Sequence, residues 1–282
     1  MNISTAGVIG AGTMGNGIAQ TLAMHGIEVR LCDVSEDALD SALATIRHSL
    51  SRMAQKGLLA ESAIDAILAR IHGSTDLNSQ RSVRIVIEAA SENLALKEQI
   101  FRQLDAIVSP QTVLASNTSS ISLTRIAAWV SHPERVIGMH FMNPVPLMQL
   151  VEVIRARQSS DATCATVMEL SRTLGKTPVE VKDGAGFVSN RILMPMINEA
   201  AFTVYEGIAS AADVDTVMKL GMNHPIGPLA LADLIGLDTC LAIMDILHAE
   251  FRDSKYRACP LLVQLVAAGQ LGRKSGHGFY PY

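Results

Sequence analysis

The chain has 282 residues, 49% hydrophobic and 18% charged, enough for one large or two ordinary domains with a buried core and too apolar for a disordered or highly charged binding protein. A formal net charge of −4 offers no basic field for nucleic acid, and apolar stretches break off well before the ~18 residues of a membrane span, so neither partner is expected. The four cysteines, at 32, 164, 240 and 259, show no CxxC or metal-ligand spacing, so reduced, buried thiols and no metal are expected.

In chain order the first signal is the apolar run Gly7-Val8-Ile9, followed by Gly10-Ala11-Gly12-Thr13-Met14-Gly15 and a helical stretch over 13–24 that stops at His25-Gly26. A second apolar run over 27–32 ends in Asp33, eighteen residues past Gly15. Strand, glycine turn, helix, strand and acid together describe a dinucleotide site. Gly10 permits the turn, Gly12 leaves no Cβ between backbone and pyrophosphate, and Gly15 lets the helix close on the sheet. The helix N-terminus faces the phosphates with unpaired N–H groups. Asp33 is expected to accept from a ribose hydroxyl and to repel a 2′-phosphate, which favours NAD over NADP. With the first strand a few residues from Met1 there is no stretch for a targeting peptide, and the cytoplasm is the expected compartment. A mean hydropathy of +0.27 points to apolar surface covered by another subunit, although the 13 methionines are also ordinary core filler.

Short β-branched runs and longer helical stretches alternate to about residue 184. Strands are expected over 71–74, 84–88, 112–116, 135–141, 149–154 and 178–182, with helices over 35–56, 93–108 and 161–174. Such alternation predicts an α/β domain with a Rossmann-type, doubly wound, mostly parallel sheet. Beyond Asp183-Gly184-Ala185-Gly186 the strand pattern ends. Helices are expected over 187–205, with a kink at Pro195, and over 211–220, 229–252 and 261–268. Two domains follow, 1–184 and an all-α 185–282.

Of eight histidines, His140 stands apart: it lies at the end of an apolar strand and is followed by Asn143-Pro144-Val145-Pro146, then by a second strand in which Val151 and Val153 flank Glu152. His140 and Glu152 are equidistant from Pro146, so strands paired antiparallel about that residue make the two side chains neighbours on one face. A carboxylate between valines needs a partner, and the partner fixes the imidazole tautomer that a general base requires. On pattern alone, a core histidine and a solvated edge glutamate explain the residues equally well.

Ser116-Asn117-Thr118-Ser119-Ser120 follows a strand end, where an open parallel sheet has its ligand crevice; helix capping is the plainer alternative. Glu88-Ala-Ala-Ser-Glu92, with Lys97 five residues on, either caps a helix or lines the same crevice. Ser49, Arg52 and Lys56 share one helix face, which pattern alone favours as solvated rather than phosphate-binding.

Taken with Ser-Asn-Thr-Ser-Ser at 116–120, the segments His-Phe-Met-Asn-Pro-Val-Pro at 140–146, Leu-Val-Glu-Val-Ile at 150–154, Lys-Asp-Gly-Ala-Gly-Phe-Val-Ser-Asn-Arg at 182–191 and Gly-Arg-Lys-Ser-Gly-His-Gly-Phe-Tyr at 272–280 resemble the 3-hydroxyacyl-CoA dehydrogenase family, its stand-alone bacterial 3-hydroxybutyryl-CoA branch in particular. The resemblance implies reversible NAD-dependent oxidation of a (3S)-3-hydroxyacyl-CoA. It implies His140 as acid/base, oriented by Glu152, with Ser119 and Asn190 as substrate-binding polar groups. It implies Glu92, Lys97, Asn143, Lys274 and also Ser119 as NAD contacts beside Asp33 and the 10–15 loop. Ser49 and Lys56, with Ser119, become coenzyme A contacts, which reverses the solvated-face reading. The helical domain is expected to wall the substrate cleft and to form a homodimer. Gly184 and Met142 depart from common family residues and bear on acyl-chain preference. Two rivals are a gulonate-type sugar-acid dehydrogenase of the same superfamily and an NAD-binding protein that has lost catalysis.

Overall fold

The computed structural model describes residues 3–282, and the chain divides into two compact units, one up to Asp183 and one from Gly184 to Tyr282. In the first, strands and helices alternate: β1 (Thr5–Ile9), α1 (Thr13–Met24), β2 (Glu28–Cys32), α2 (Glu36–Gln55), α3 (Ile64–Leu68), β3 (Ile71–Ser74), β4 (Ile85–Glu88), α4 (Leu94–Ile107), β5 (Val113–Ser116), α5 (Leu123–Ala127), β6 (Val136–Phe141), β7 (Leu150–Arg155), α6 (Asp161–Thr173) and β8 (Thr177–Lys182). The eight strands form one sheet in the order β3-β2-β1-β4-β5-β6-β7-β8. The strands from β1 to β6 run parallel, β7 turns back antiparallel to β6, and β8 runs parallel to β7.

The local causes are legible. Val8, Val29, Leu31, Ile85, Ile87, Val136 and Ile137 are fully buried, the near-continuous apolar pattern of strands covered on both faces. Most of the longer helices start where a short polar side chain accepts the hydrogen bond that the first turn leaves unmade: Ser35 from the Ala38 N–H, Asn93 from Leu96, Ser160 from Thr163. The order reverses beside β1, which pairs with β2 on one side and β4 on the other, so the loops after β1 and β4 diverge into a crevice. An antiparallel pair needs no helical crossover, and residues 142–149 suffice to turn the chain from β6 into β7.

The second unit holds α7 (Ser189–Tyr205), α8 (Ala211–Gly221), α9 (Pro228–Ile235), α10 (Leu237–Phe251) and α11 (Pro260–Ala267) around a core that includes Leu229, Leu237, Cys240, Met244 and Leu247. Helix α7 runs unbroken through Pro195. The single helix expected over 229–252 is two, because Gly236 sits between α9 and α10 at φ +104, a conformation that costs other residues strain. The short α3 and the 3₁₀ turns at Glu61–Ala63 and Leu77–Gln80 carry no strong pattern and were not expected. Among the described residues, no helix is long and apolar enough to cross a membrane.

The 272–280 segment is a packing lock. Asp233, 1% exposed, accepts from the Phe279 and Tyr280 N–H groups, and a Cβ on Gly278 would lie 2.0 Å from its Oδ1. Asp215 likewise caps α9 by accepting from the Leu229 and Ala230 N–H groups, and the Tyr280 hydroxyl donates to it at 2.7 Å.

Candidate active site

Four strand ends of the first unit line up in the spatial order β1, β4, β5, β6, and each delivers one part of the site. At β1, Gly10 has φ +96 and a Cβ there would lie 2.7 Å from the Ala89 carbonyl oxygen, while a Cβ on Gly15 would lie 1.8 Å from the Gly10 carbonyl oxygen. Both positions are closed by the chain's own backbone. Gly12 is different, because a Cβ there would meet nothing within 4 Å. Gly12 is also the N-cap of α1, with no side-chain cap and no acidic residue in the first turn. The open space above Gly12 and the uncapped helix start fit a dinucleotide pyrophosphate, whose oxygens would take the N–H groups.

Asp33, just past β2, accepts from the Ala11 N–H at 2.8 Å and the Ser35 N–H at 3.1 Å, and so ties the glycine loop to the second strand. One glycine the sequence did not single out matters too: a Cβ on Gly17 would lie 2.9 Å from the Val145 Cβ, so α1 rests directly on the β6–β7 connection.

These contacts separate two substitutions. Gly12→Ala is expected to fold normally and to weaken NADH binding about 10–100-fold, since intruding on a packed contact costs ~1–3 kcal/mol. Gly15→Ala is expected to fail to fold, because neither backbone can yield. Fluorescence titration with NADH and thermal melting check both, and unchanged affinity in Gly12→Ala would separate that loop from the cofactor.

At β4 and β5 the expected polar residues form one network. Glu88 is fully buried and accepts from the Lys97 ammonium at 2.6 Å, the Ser116 hydroxyl at 2.6 Å and the Ala90 N–H at 2.8 Å. Lys97, 1% exposed, also reaches the Ala90 carbonyl at 3.3 Å and Glu92 Oε2 at 3.3 Å. Its ammonium thus faces three oxygens of the chain itself. Glu92 accepts from the Thr118 and Ser120 hydroxyls at 2.5 and 2.7 Å and from the Ser119 and Ser120 N–H groups at 3.1 Å each.

Burial alone would raise the Glu92 carboxyl, but the Lys97 charge and the two hydroxyls outweigh it and hold the group below the ordinary glutamate range. A depressed folded value contributes stability that is complete above the ordinary value of about 4.3 and is lost as pH falls through the lower folded value. Residues 116–120 are accordingly expected to stay ordered at pH 5 and to loosen only in acid below about pH 4. Glu92→Gln should abolish that acid step; amide exchange at Ser119 and Ser120 reads it.

At β6, His140 pairs in register with Glu152 of β7, and the Nδ1 to Oε2 distance is 2.8 Å. The residues are 7% and 2% exposed. Since a carboxylate only accepts, Nδ1 carries the donated proton, and in the neutral imidazole Nε2 is then the acceptor nitrogen. The structure thus brings Glu92, Lys97 and the Ser119 loop together at β4 and β5, and His140 with Glu152 at β6 and β7.

The other expected residues are on the β6–β7 connection, on α2 and in the second unit. Asn143 is exposed in the β6–β7 connection, Ser49 is half-buried, and Arg52 and Lys56 are exposed on and just past the last turns of α2. In the second unit, Asn190 is buried in the first turn of α7, and Lys274 pairs with Asp238 at 2.7 Å. Glu88 and Asn117 lie inside the two expected clusters, but the sequence assigns neither a role of its own, since a polar residue at a buried strand end is a common signal.

Known proteins offer an independent comparison. Residues 5–184 match the family described as 3-hydroxyacyl-CoA dehydrogenase, NAD binding domain, and residues 186–282 match the 3-hydroxyacyl-CoA dehydrogenase C-terminal domain. The chain is 55% identical over 282 residues to a Bacillus subtilis (strain 168) protein named "Probable 3-hydroxybutyryl-CoA dehydrogenase", covering all of this chain and 98% of that one. It is 51% identical over 280 residues to the 3-hydroxybutyryl-CoA dehydrogenase of Bradyrhizobium diazoefficiens, covering 99% and 96% of the two. A crystal structure of (S)-3-hydroxybutyryl-CoA dehydrogenase PaaH1 from Ralstonia eutropha superposes with a TM-score of 0.97 at 54% identity, covering 100% of this chain and 99% of that one.

Proposed function

The chain belongs to the 3-hydroxyacyl-CoA dehydrogenase family, and from that premise we propose that it catalyses the reversible NAD-dependent oxidation of (3S)-3-hydroxybutyryl-CoA to acetoacetyl-CoA. The observation that carries the reading is the 2.8 Å bond between His140 and Glu152, two buried side chains held in antiparallel register at the crevice end of β6. In oxidation His140 Nε2 takes the proton of the C3 hydroxyl. Glu152 keeps Nδ1–H in place and stabilises the imidazolium that forms. NAD, when bound, supplies the hydride acceptor. In reduction the protonated imidazole returns its proton to the forming alkoxide. Ser119 holds the substrate oxygen, and Ser49 and Lys56 at the α2 face hold coenzyme A phosphates.

The Asp33 carboxylate beside the glycine loop supports NAD over NADP, because a 2′-phosphate there would meet like charge. Free, buried cysteines support a reducing, cytoplasmic setting. Exposed Ile192, Ile208 and Leu220 on the helical unit, 66%, 70% and 81% accessible, support pairing with a second copy. Sedimentation should show a dimer at micromolar concentration, and a monomer would remove that part of the reading.

Steady-state assays test the activity. Acetoacetyl-CoA should be reduced with NADH, much less well with NADPH, and gulonate should not be oxidised. Turnover of gulonate without turnover of the acyl-CoA would favour the sugar-acid reading, and no turnover of either would favour a binding protein.

A further inference from the structure

Strand β6 outruns its neighbour. The parallel ladder between β5 and β6 closes at Ser116 and Gly138, and β6 continues through Met139, His140 and Phe141, paired there with β7. Past that point a side chain replaces the missing strand: Asn117 Oδ1 accepts from the Phe141 N–H at 2.8 Å, in a buried setting. The backbone of Asn117 is fixed from the other side, since its N–H donates to the Glu88 carbonyl at 2.7 Å.

Asn117 lies two residues before Ser119, and Phe141 is the residue after His140. The neighbours of Asn117 anchor the loop toward β4 and α4, Ser116 through Glu88 and Thr118 through Glu92; of the three, it is Asn117 whose side chain reaches β6. We propose that Asn117 is the positioning residue that sets the Ser119 loop against the strand end carrying His140, so that the proton acceptor and the serine that binds the substrate oxygen keep one fixed separation. The roles of Ser119 and His140 in this statement rest on the function proposed above.

The residue type follows from the chemistry. The tie needs a neutral acceptor with the reach of two side-chain carbons. Serine is too short, and aspartate would keep the acceptor but add a negative charge near a histidine already paired with Glu152. Misplacing a reacting group by about 1 Å costs on the order of 10²-fold in rate, which sets the scale of the expected effect.

The test compares Asn117→Ala and Asn117→Asp with the wild-type enzyme. It measures kcat with acetoacetyl-CoA and NADH, the dissociation constant of NADH, the pH profile of the oxidation, and amide exchange at Phe141. In Asn117→Ala the Phe141 amide should exchange faster and kcat should fall by about 10–10²-fold, with NADH affinity within about threefold of wild type. Asn117→Asp should restore protection of that amide and move the acid limb of the profile to higher pH, because a nearby negative charge favours the protonated imidazole. If Asn117→Ala does not fold, the aspartate variant alone decides through its amide protection and pH profile.

Wild-type turnover in Asn117→Ala, or a parallel loss of kcat and NADH affinity, would overturn the proposal. So would an unshifted acid limb in Asn117→Asp. Wild-type enzyme inactive on acetoacetyl-CoA would overturn the function instead, and Phe141 exchange would still report whether the tie exists.

Discussion

Replacing His140 by glutamine is expected to lower turnover of acetoacetyl-CoA by about 10²–10⁴-fold while NADH still binds, the range typical for loss of a general acid/base. Glutamine keeps a polar group of similar reach beside Glu152, so the buried carboxylate is not abandoned and the fold should hold. The proton path is what disappears. Stopped-flow measurement of the chemical step, set beside an NADH titration of the same preparation, separates the two effects. Turnover within tenfold of wild type would remove His140 from the mechanism.

The second large effect concerns stability. Lys97→Met is expected to cost about 3–5 kcal/mol, because it deprives the fully buried Glu88 carboxylate of its ionic partner while two neutral donors, Ser116 and Ala90, remain. Against a total of roughly 5–15 kcal/mol for a folded domain, that is a large fraction. The double variant Glu88→Gln with Lys97→Met should recover part of the loss, since removing both charges removes the orphan. Denaturant unfolding of the two variants beside wild type measures this. A single variant as stable as wild type would show that the pair is not what holds the β4 loop.

Why some of this could be read in the sequence and some could not is a matter of sequence distance. The Rossmann core was legible because its signals are local: β-branched runs for the strands, Ser35 and Asn93 as helix starts, Gly10, Gly12 and Gly15 at fixed offsets. The His140 and Glu152 register was legible for the same reason, as a hairpin joined by a short turn has few ways to pair.

The ties at β4, β5 and β6 join residues that only the strand order makes neighbours. Glu88 to Ser116 and Asn117 to Phe141 span 28 and 24 positions, and no periodicity records them. Lys97 illustrates the limit well. A lysine nine positions past a strand-end glutamate carries no sequence sign that the two meet. In the helical unit an apolar run across Gly236 hid a break that its positive φ makes plain.

The central claim is that the His140 and Glu152 pair moves the proton of the C3 hydroxyl at a site the glycine loop, Asp33 and the Ser119 loop build for NAD. A crystal structure of the enzyme with NAD and acetoacetyl-CoA bound tests it most directly. The account predicts the C3 oxygen within about 2.6–3.2 Å of His140 Nε2, with the bond from Nδ1 to Glu152 intact. A C3 oxygen held by other groups, with His140 turned away from it, would contradict the account.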